Sequence, residues 1–315
     1  MKNAVQTRSI AEQGGSLGRP PLSIYPPSLA MNEQAVLPAS AAKDAVAPAE
    51  ANAQESYRTA GGRELWLPKG FRQLEATSEL LAELAEASER LEVATPEEII
   101  TWAHERFAPH LTMATAFGPE GCVILSMLAK IAPETYVFNL DTGYQFLETL
   151  DLRDRLARRY GIEVDLLQPE LSVPEYEAKH GGPLYKTNPT QCCFDRKVKV
   201  LKAASEKHHA WMSGIRRDQS TDRARAAIVE WDKKFNLVKI SPLANWTKKD
   251  VWKRITAEDI PYNPLHDQGF PSIGCWPCTR AVAAGETDER AGRWSGTAKT
   301  ECGLHTLEQQ DGSGI

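Results

Sequence analysis

A chain of 315 residues, 42% apolar and 25% charged, has an ordinary globular make-up and the length for one large domain or two small ones. Its net charge of −5 excludes a nucleic-acid-binding polycation, and no apolar run approaches the roughly 20 residues of a membrane helix. The opening MKNAVQTRSIAEQGG lacks the continuous apolar stretch of a secretory signal, so the expected location is cytoplasmic, among reduced thiols.

Residues 1–65 are rich in Ala, Pro, Gly and Ser and poor in aromatics. Such a stretch buries too little apolar surface to offset chain entropy and is expected to be a disordered extension. A helix is predicted from about Leu74, where Leu80, Leu84 and Leu91 fall near one face. TPEE at Thr95 to Glu98 has the spacing of a capping box and starts a second helix. Then strands and helices alternate: strand 111–117, helix 120–132, strand 135–140, helix 145–160, strand 164–169 and strand 210–215. Such alternation predicts a parallel, doubly wound α/β sheet. Ligands bind such sheets beyond the carboxyl ends of the strands. TAFGPEG, LDTGYQ and IRRDQS should therefore meet on one rim.

Gly118 and Gly121 let backbone approach a ligand, and the next helix offers its N-terminus to an anion. Asp141 has two readings, a bond to a ribose or adenine edge and a cap on the following helix. Arg216, Arg217, Arg223 and Arg225 crowd the third loop, and guanidinium groups grip phosphate or sulfate bidentately. The competing reading is a salt-bridge lattice with Asp218 and Asp222. The segment from Lys186 to Arg254 holds 17 Lys and Arg against 7 Asp and Glu, a balance that suits a small polyanion better than a duplex.

Six cysteines are present. Cys192 and Cys193 are adjacent, and Cys275 and Cys278 follow in GCWPCTR, 82 residues after Cys193. In a reducing compartment four such thiols point to one inorganic centre rather than to disulfides. A zinc ion would require adjacent side chains to bend back to a single point, whereas a 4Fe–4S cube offers each sulfur its own corner, so an iron–sulfur cluster is favoured. Arg196, Lys197 and Arg280 would offset its negative charge. Cys122 sits in an apolar helix and reads as core. Cys302, in KTECGLH, has Lys299 and His305 three residues to either side, and a thiol near a base and a cation can become a nucleophile.

Taken together, CC…CxxC, GIRRDQS, LDTGYQFLET, YNPLHDQGFPSIGCWPCTR, RAGRW and ECGLH resemble the assimilatory adenylyl-sulfate reductases, in the same order from about residue 100 to 306. The resemblance implies a Rossmann-like adenine-nucleotide α-hydrolase fold with a mainly parallel sheet, shared with N-type ATP pyrophosphatases, plus a mobile C-terminal tail. It implies a domain at 66–285 and a tail at 286–315 carrying the nucleophile Cys302. Cys192, Cys193, Cys275 and Cys278 match the 4Fe–4S ligands, and Lys197 matches a lysine between cluster and substrate. Arg216, Arg217, Arg290, Arg293 and His305 match residues lining the phosphosulfate pocket. Thr115, Phe117 and Gly118, with Asp141, Thr142 and Gly143, match the nucleotide loops. The implied reaction reduces adenylyl sulfate to sulfite and AMP at the expense of thioredoxin, through a cysteine S-sulfonate. One departure stands out: the family's serine before Phe-Gly is Ala116 here, beside Thr115.

Some relatives carry a fused redox domain after ECGLH; here 13 residues follow Cys302, so the expected donor is a separate thioredoxin. A homo-oligomer is compatible with this reading, and neither a membrane nor a nucleic acid is expected as a partner. The nearest rival is a reductase of 3′-phosphoadenylyl sulfate, or of both nucleotides. A cluster-bearing tRNA thiolation protein would need an SGGxDS loop, which AFGPEG is not. A four-cysteine zinc module binding nucleic acid would need a basic domain with aromatic platforms.

Overall fold

The computed structural model describes residues 54–58, 64–68, 71–286, 288–297, 299 and 301–304. Gln54–Arg58 (β1) lies inside the stretch expected to be disordered, yet it is a strand, paired antiparallel with Glu64–Pro68 (β2). The Ala and Pro content of the surrounding sequence hides this short aromatic-bearing pair. The remainder of 1–65 lies outside the described residues.

Two amphipathic helices follow, Ser78–Leu91 (α1) and Pro96–Phe107 (α2). Thr77 caps the first, and Thr95 with Glu98 forms the expected capping box on the second. The alternating core then runs Leu111–Ala114 (β3), Pro119–Ile131 (α3), Tyr136–Leu140 (β4), Leu147–Tyr160 (α4) and Val164–Leu167 (β5). All six predicted elements of this α/β stretch, counting the later strand near 210, are present with ends shifted by a few residues. Helix α3 is apolar almost all round, and Cys122, Val123, Ile124, Leu125, Met127 and Leu128 are all buried. That composition suits a helix packed on several sides. Truncating Leu128 to alanine would cost about 2–5 kcal/mol.

Next come Val173–His180 (α5), Leu184–Thr187 (α6) and Pro189–Cys193 (α7), a π-helical turn at Phe194–Val198, and Lys199–Ser205 (α8). Ala210–Met212 (β6), Val229–Asp232 (β7), Leu237–Ile240 (β8) and Lys248–Glu258 (α9) complete the regular structure. The six-stranded sheet has the order β5-β4-β3-β6-β8-β7, parallel throughout except for the antiparallel edge strand β7. Strand order runs from β3 through β4 to β5 in one direction and to β6 in the other. The loops after β3 and β6 therefore diverge and leave a crevice, where such folds take their ligands. Among the described residues no helix is long and apolar enough to cross a membrane.

Candidate active site

The three loops picked from the sequence do meet at that crevice. After β3, the Thr115 hydroxyl accepts the Phe117 N–H at 3.0 Å, closing a tight turn in which Phe117 has φ 56°. A non-glycine residue is rarely left-handed, and here the ring is held by burial in the core. A Cβ on Gly121 would sit 2.6 Å from the Thr115 hydroxyl, so this turn requires glycine on its facing helix. Gly118 caps α3 without a side chain, which leaves the helix N-terminus open to an anion.

After β4, Asp141 is bound on both oxygens, by the Gly143 N–H and by Gln168 Nε2, each at 2.9 Å. The cap reading of Asp141 is not met: the following helix begins at Leu147 with Phe146 at its N-cap and no side-chain bond there, and Asp141 closes the turn at Gly143 instead. Gly143 has φ 74°, and a Cβ there would meet Val173 at 2.6 Å. Thr142, between them, faces the crevice. After β6, Arg216 is 3% exposed and bonds Glu120 at the start of α3 together with Asp218. Its charge is thus already met by carboxylates, as the lattice reading supposed. Arg217 turns the other way, to Glu92, Asn245 and the Ala226 carbonyl. The expectation that Arg217 lines the substrate pocket is corrected: Glu92, just beyond the end of α1, offers it a bidentate carboxylate outside the crevice.

The crevice is a cavity of about 270 Å3. Thr115, Gly118, Thr142, Lys197, Arg216, Arg290, Arg293 and Cys302 all line it, so eight of the residues selected as catalytic or substrate-binding converge, joined by Cys275. Phe117, Asp141 and Gly143 stand behind the surface and shape its loops; His305 lies outside the described residues. Asn139, Ser213, Arg223, Trp252, His266 and Glu301 also line the cavity or hold its wall and were not singled out as site residues from sequence, apart from Arg223 as a candidate anion binder. Asn139 could have been noticed, being an amide in the otherwise apolar strand YVFNL. A larger cavity of about 650 Å3 lies elsewhere, lined among others by Tyr136, Leu167, Gln168, Tyr176, Arg196, Lys199 and Val200. No cysteine lines it, whereas Cys302 lines the smaller crevice, which is therefore the candidate.

The four paired cysteines surround a second, adjoining space. Cys192 and Cys193 end α7, and neighbouring helical positions diverge by about 100°. Cys192 accordingly packs with Tyr144, Tyr176 and Cys275, while Cys193 feels Lys197 and Cys302. Cys275 and Cys278 flank a 3-10 turn pinned by the Trp276 N–H on the Tyr144 carbonyl at 2.8 Å. All four sulfur-bearing residues, with Arg196, Lys197 and Arg293, line one small cavity. Among the described residues no three His, Cys, Asp or Glu side chains are gathered tightly enough to grip a single metal ion. The thiols ring a space instead of converging on a point, and all are free. Thr142, Lys197, Cys275 and Arg293 line both cavities and form their common wall.

Electrostatics separate the thiols. Burial, with the neighbouring thiolates, pushes Cys192 up to about 12. Burial likewise lifts Cys193 to about 11 against the pull of Lys197. Cys302 behaves oppositely. Burial opposes its ionisation, but Lys197, the Leu304 backbone N–H and Arg293 together hold its thiol below the ordinary value. Burial also disfavours the Lys197 ammonium, yet the sulfurs of Cys275, Cys302 and Cys193 outweigh it and keep that cation charged. Cys302 thus has the electropositive surroundings of a nucleophile. Cys122 is fully buried and pushed up to about 12, a core thiol as expected.

Residues 110–281 match the phosphoadenosine phosphosulfate reductase domain. The chain belongs to that family. An adenosine 5′-phosphosulfate reductase of Salinibacter ruber is 46% identical over 231 residues, covering 73% of this chain and 92% of that protein. A phosphoadenosine 5′-phosphosulfate reductase of Gloeobacter violaceus is 47% identical over 213 residues, covering 67% of this chain and 88% of that one. The crystal structure of the phosphoadenylyl-sulfate reductase of Candida auris, a phosphate complex, superposes with a TM-score of 0.59 at 30% identity, covering 67% of this chain and 100% of that one. The α/β architecture expected from the sequence is therefore the architecture of this reductase family.

Proposed function

We propose that this family member is an oxidoreductase of assimilatory sulfate reduction that converts adenylyl sulfate to sulfite and AMP. The observation that carries the reading is Cys302, a thiol held low by Lys197 and Arg293 in a cavity continuous with the nucleotide loops. The α3 N-terminus and Thr115 would receive the nucleotide phosphate, and Lys197 and Arg293 the sulfonyl oxygens. The Cys302 thiolate attacks sulfur in line. The sulfur–oxygen bond to AMP breaks, AMP leaves with the electron pair on its phosphate oxygen, and a cysteine S-sulfonate remains. A thiolate of a separate thioredoxin then attacks the Cys302 sulfur, and sulfite departs with the bonding pair. The second thioredoxin thiol closes its own disulfide and frees Cys302, so two electrons pass from thioredoxin to the departing sulfur. His305 is proposed to assist the same reaction, and the cytoplasm is the proposed compartment.

Cys192, Cys193, Cys275 and Cys278 are proposed to hold a 4Fe–4S cluster. A ring of four free thiols around one space, walled by Arg196, Lys197 and Arg293, supports a ligand wider than one ion. Such a cluster would supply a fixed anionic centre behind the wall. Lys197, shared by both cavities, would then stand between that centre and the substrate anion. Cys275→Ala should lose iron and activity together.

The relatives' names divide between adenylyl sulfate and its 3′-phosphorylated form, so the second nucleotide is the rival substrate. The two cysteine pairs favour adenylyl sulfate. Steady-state rates with both nucleotides separate the two readings. For the chemistry itself, reductant-free protein mixed with adenylyl sulfate should gain one SO3 on the peptide bearing Cys302, and Cys302→Ser should not. Absence of the adduct from the native chain would refute the mechanism.

A further inference from the structure

Glu301, the residue before the nucleophile, is 5% exposed. A carboxylate so buried needs partners, and it has three. One oxygen takes the Cys302 backbone N–H at 2.6 Å, Arg290 Nη2 at 2.7 Å and Arg223 Nη2 at 3.1 Å. The other takes Arg223 Nε at 3.0 Å, so the Arg223 guanidinium grips both oxygens. Arg223 in turn donates to Gln219, whose side-chain oxygen also accepts the Arg216 N–H at 3.0 Å. Arg216 is bonded to Glu120 in the first turn of α3. A continuous chain of polar contacts therefore runs from the backbone of Cys302 to the helix that opens the first nucleotide loop.

We propose that Glu301 is the positioning residue of Cys302: its carboxylate fastens the nucleophile's backbone to Arg223 and Arg290 and so fixes the sulfur over the crevice. The proposal rests on the reductase reading and adds to it a division of labour among the arginines. Arg223 commits its fork to Glu301 and Arg290 adds one Nη2 contact, so both hold the protein's own chain. Lys197 and Arg293 line the same cavity, pair with no carboxylate among the described residues, and are left for the substrate anion. The alternative use of the same contacts is substrate mimicry, in which Glu301 occupies an anion site that the nucleotide later claims. The two make opposite predictions, because a clamp improves turnover and a mimic competes with binding.

Glu301→Gln keeps the shape and an acceptor for the Cys302 N–H but removes the charge that pairs two buried guanidiniums. A clamp predicts a fall in kcat of at least about tenfold, as misplacing a reacting atom does. KM and the Kd of AMP should change by no more than about twofold. Amide hydrogen exchange in the peptide spanning Cys302 should rise in the resting protein, a readout that requires no catalysis. Arg223→Gln should reproduce both effects, and the double variant should be no worse than the more severe single one, as members of one unit behave. If Glu301→Gln does not fold, Arg223→Gln alone carries the test. Tighter AMP binding with kcat retained would overturn the proposal in favour of mimicry, and unaltered exchange at Cys302 would overturn it outright. Failure of the reductase reading looks different: the native chain would form no sulfonate, whatever the exchange measurement shows.

Discussion

The hydroxyl of Thr142 lies 3.2 Å from the sulfur of Cys275, so the loop after β4 touches the ring of thiols directly. The same hydroxyl accepts the Tyr144 N–H at 3.2 Å, and the Tyr144 carbonyl holds the Trp276 N–H. One side chain thus joins the loop after β4 to the CxxC turn. Thr142→Val keeps the volume and deletes both contacts. Unfolding free energy should fall by about 1 kcal/mol, the usual net worth of a hydrogen bond. With the proposed cluster bound, the visible spectrum would shift as well, because hydrogen bonds to sulfur tune such centres. An unchanged spectrum with unchanged AMP affinity would mean the contact does not couple the two cavities.

Lys197 offers a sharper electrostatic test. It is the strongest influence holding the Cys302 thiol below its ordinary value. Lys197→Met removes that attraction and leaves burial, which opposes ionisation. The rate of Cys302 alkylation against pH should therefore move toward higher pH. At neutral pH the turnover should fall by on the order of tenfold or more, because the thiolate is the reacting species. The profile of alkylation checks this without any assumption about the substrate. A profile that stays in place would assign the low value to Arg293 and the Leu304 N–H instead.

How much of this was legible beforehand follows from local physics. The strands and helices from 111 to 167 were readable because apolar runs and helical faces there are long enough to impose a period. The cysteine pairs and Cys302 were readable because thiols are scarce and carry few meanings. β7 and β8 were not assigned: each is four residues long, and Glu230 and Lys239 sit within them as a cross-strand ion pair at 2.8 Å. The pairing is what makes those polar positions compatible with a strand, and pairing is invisible in one segment. The helices α5 to α8 are short, divided by Gly and Pro up to α7 and by a π-helical turn between α7 and α8, so periodicity had no length in which to emerge. Within the site, arginine content predicted an anion pocket but not the use of each guanidinium. Arg217 leaves for Glu92 and Arg223 closes on Glu301, pairings that local sequence does not reveal because the partners lie 125 and 78 residues apart.

Gly274 tests the shared wall from a distance. A Cβ built there would sit 2.1 Å from Arg293 Nη2 and 2.5 Å from its Cζ. The glycine is needed for the side-chain packing around Arg293, which also stacks on Trp294 at 4.4 Å. Gly274→Ala should evict the guanidinium and behave as an Arg293 variant without altering it. KM for adenylyl sulfate should rise by about tenfold, the effect of about 1.4 kcal/mol of lost substrate interaction. Arg293→Ala should give a similar rise, and the two together should add little more. Full additivity would show that Gly274 acts through the CxxC turn and not through Arg293.

A last prediction concerns acid. His110 and His208 are buried, and burial, aided by the nearby His209, holds them near 4 and 3 respectively. His208 stacks on Tyr136 at 5.5 Å, and its Nδ1 finds no hydrogen-bond partner among the described residues. Lys207 adds a further repulsion to any charge on His208. In the unfolded chain both imidazoles take up protons near about 6.5. Between that value and the folded ones the unfolded state binds more protons, so stability rises with pH across the window. Their contribution is present in full above about 6.5 and is lost progressively as the pH falls toward 4 and then 3. The urea midpoint should accordingly be flat above neutrality and decline below it. His208→Gln, which is neutral throughout, should lower the midpoint near pH 7 only through packing and should make the acid decline shallower. A decline of undiminished slope would place the acid sensitivity in other groups.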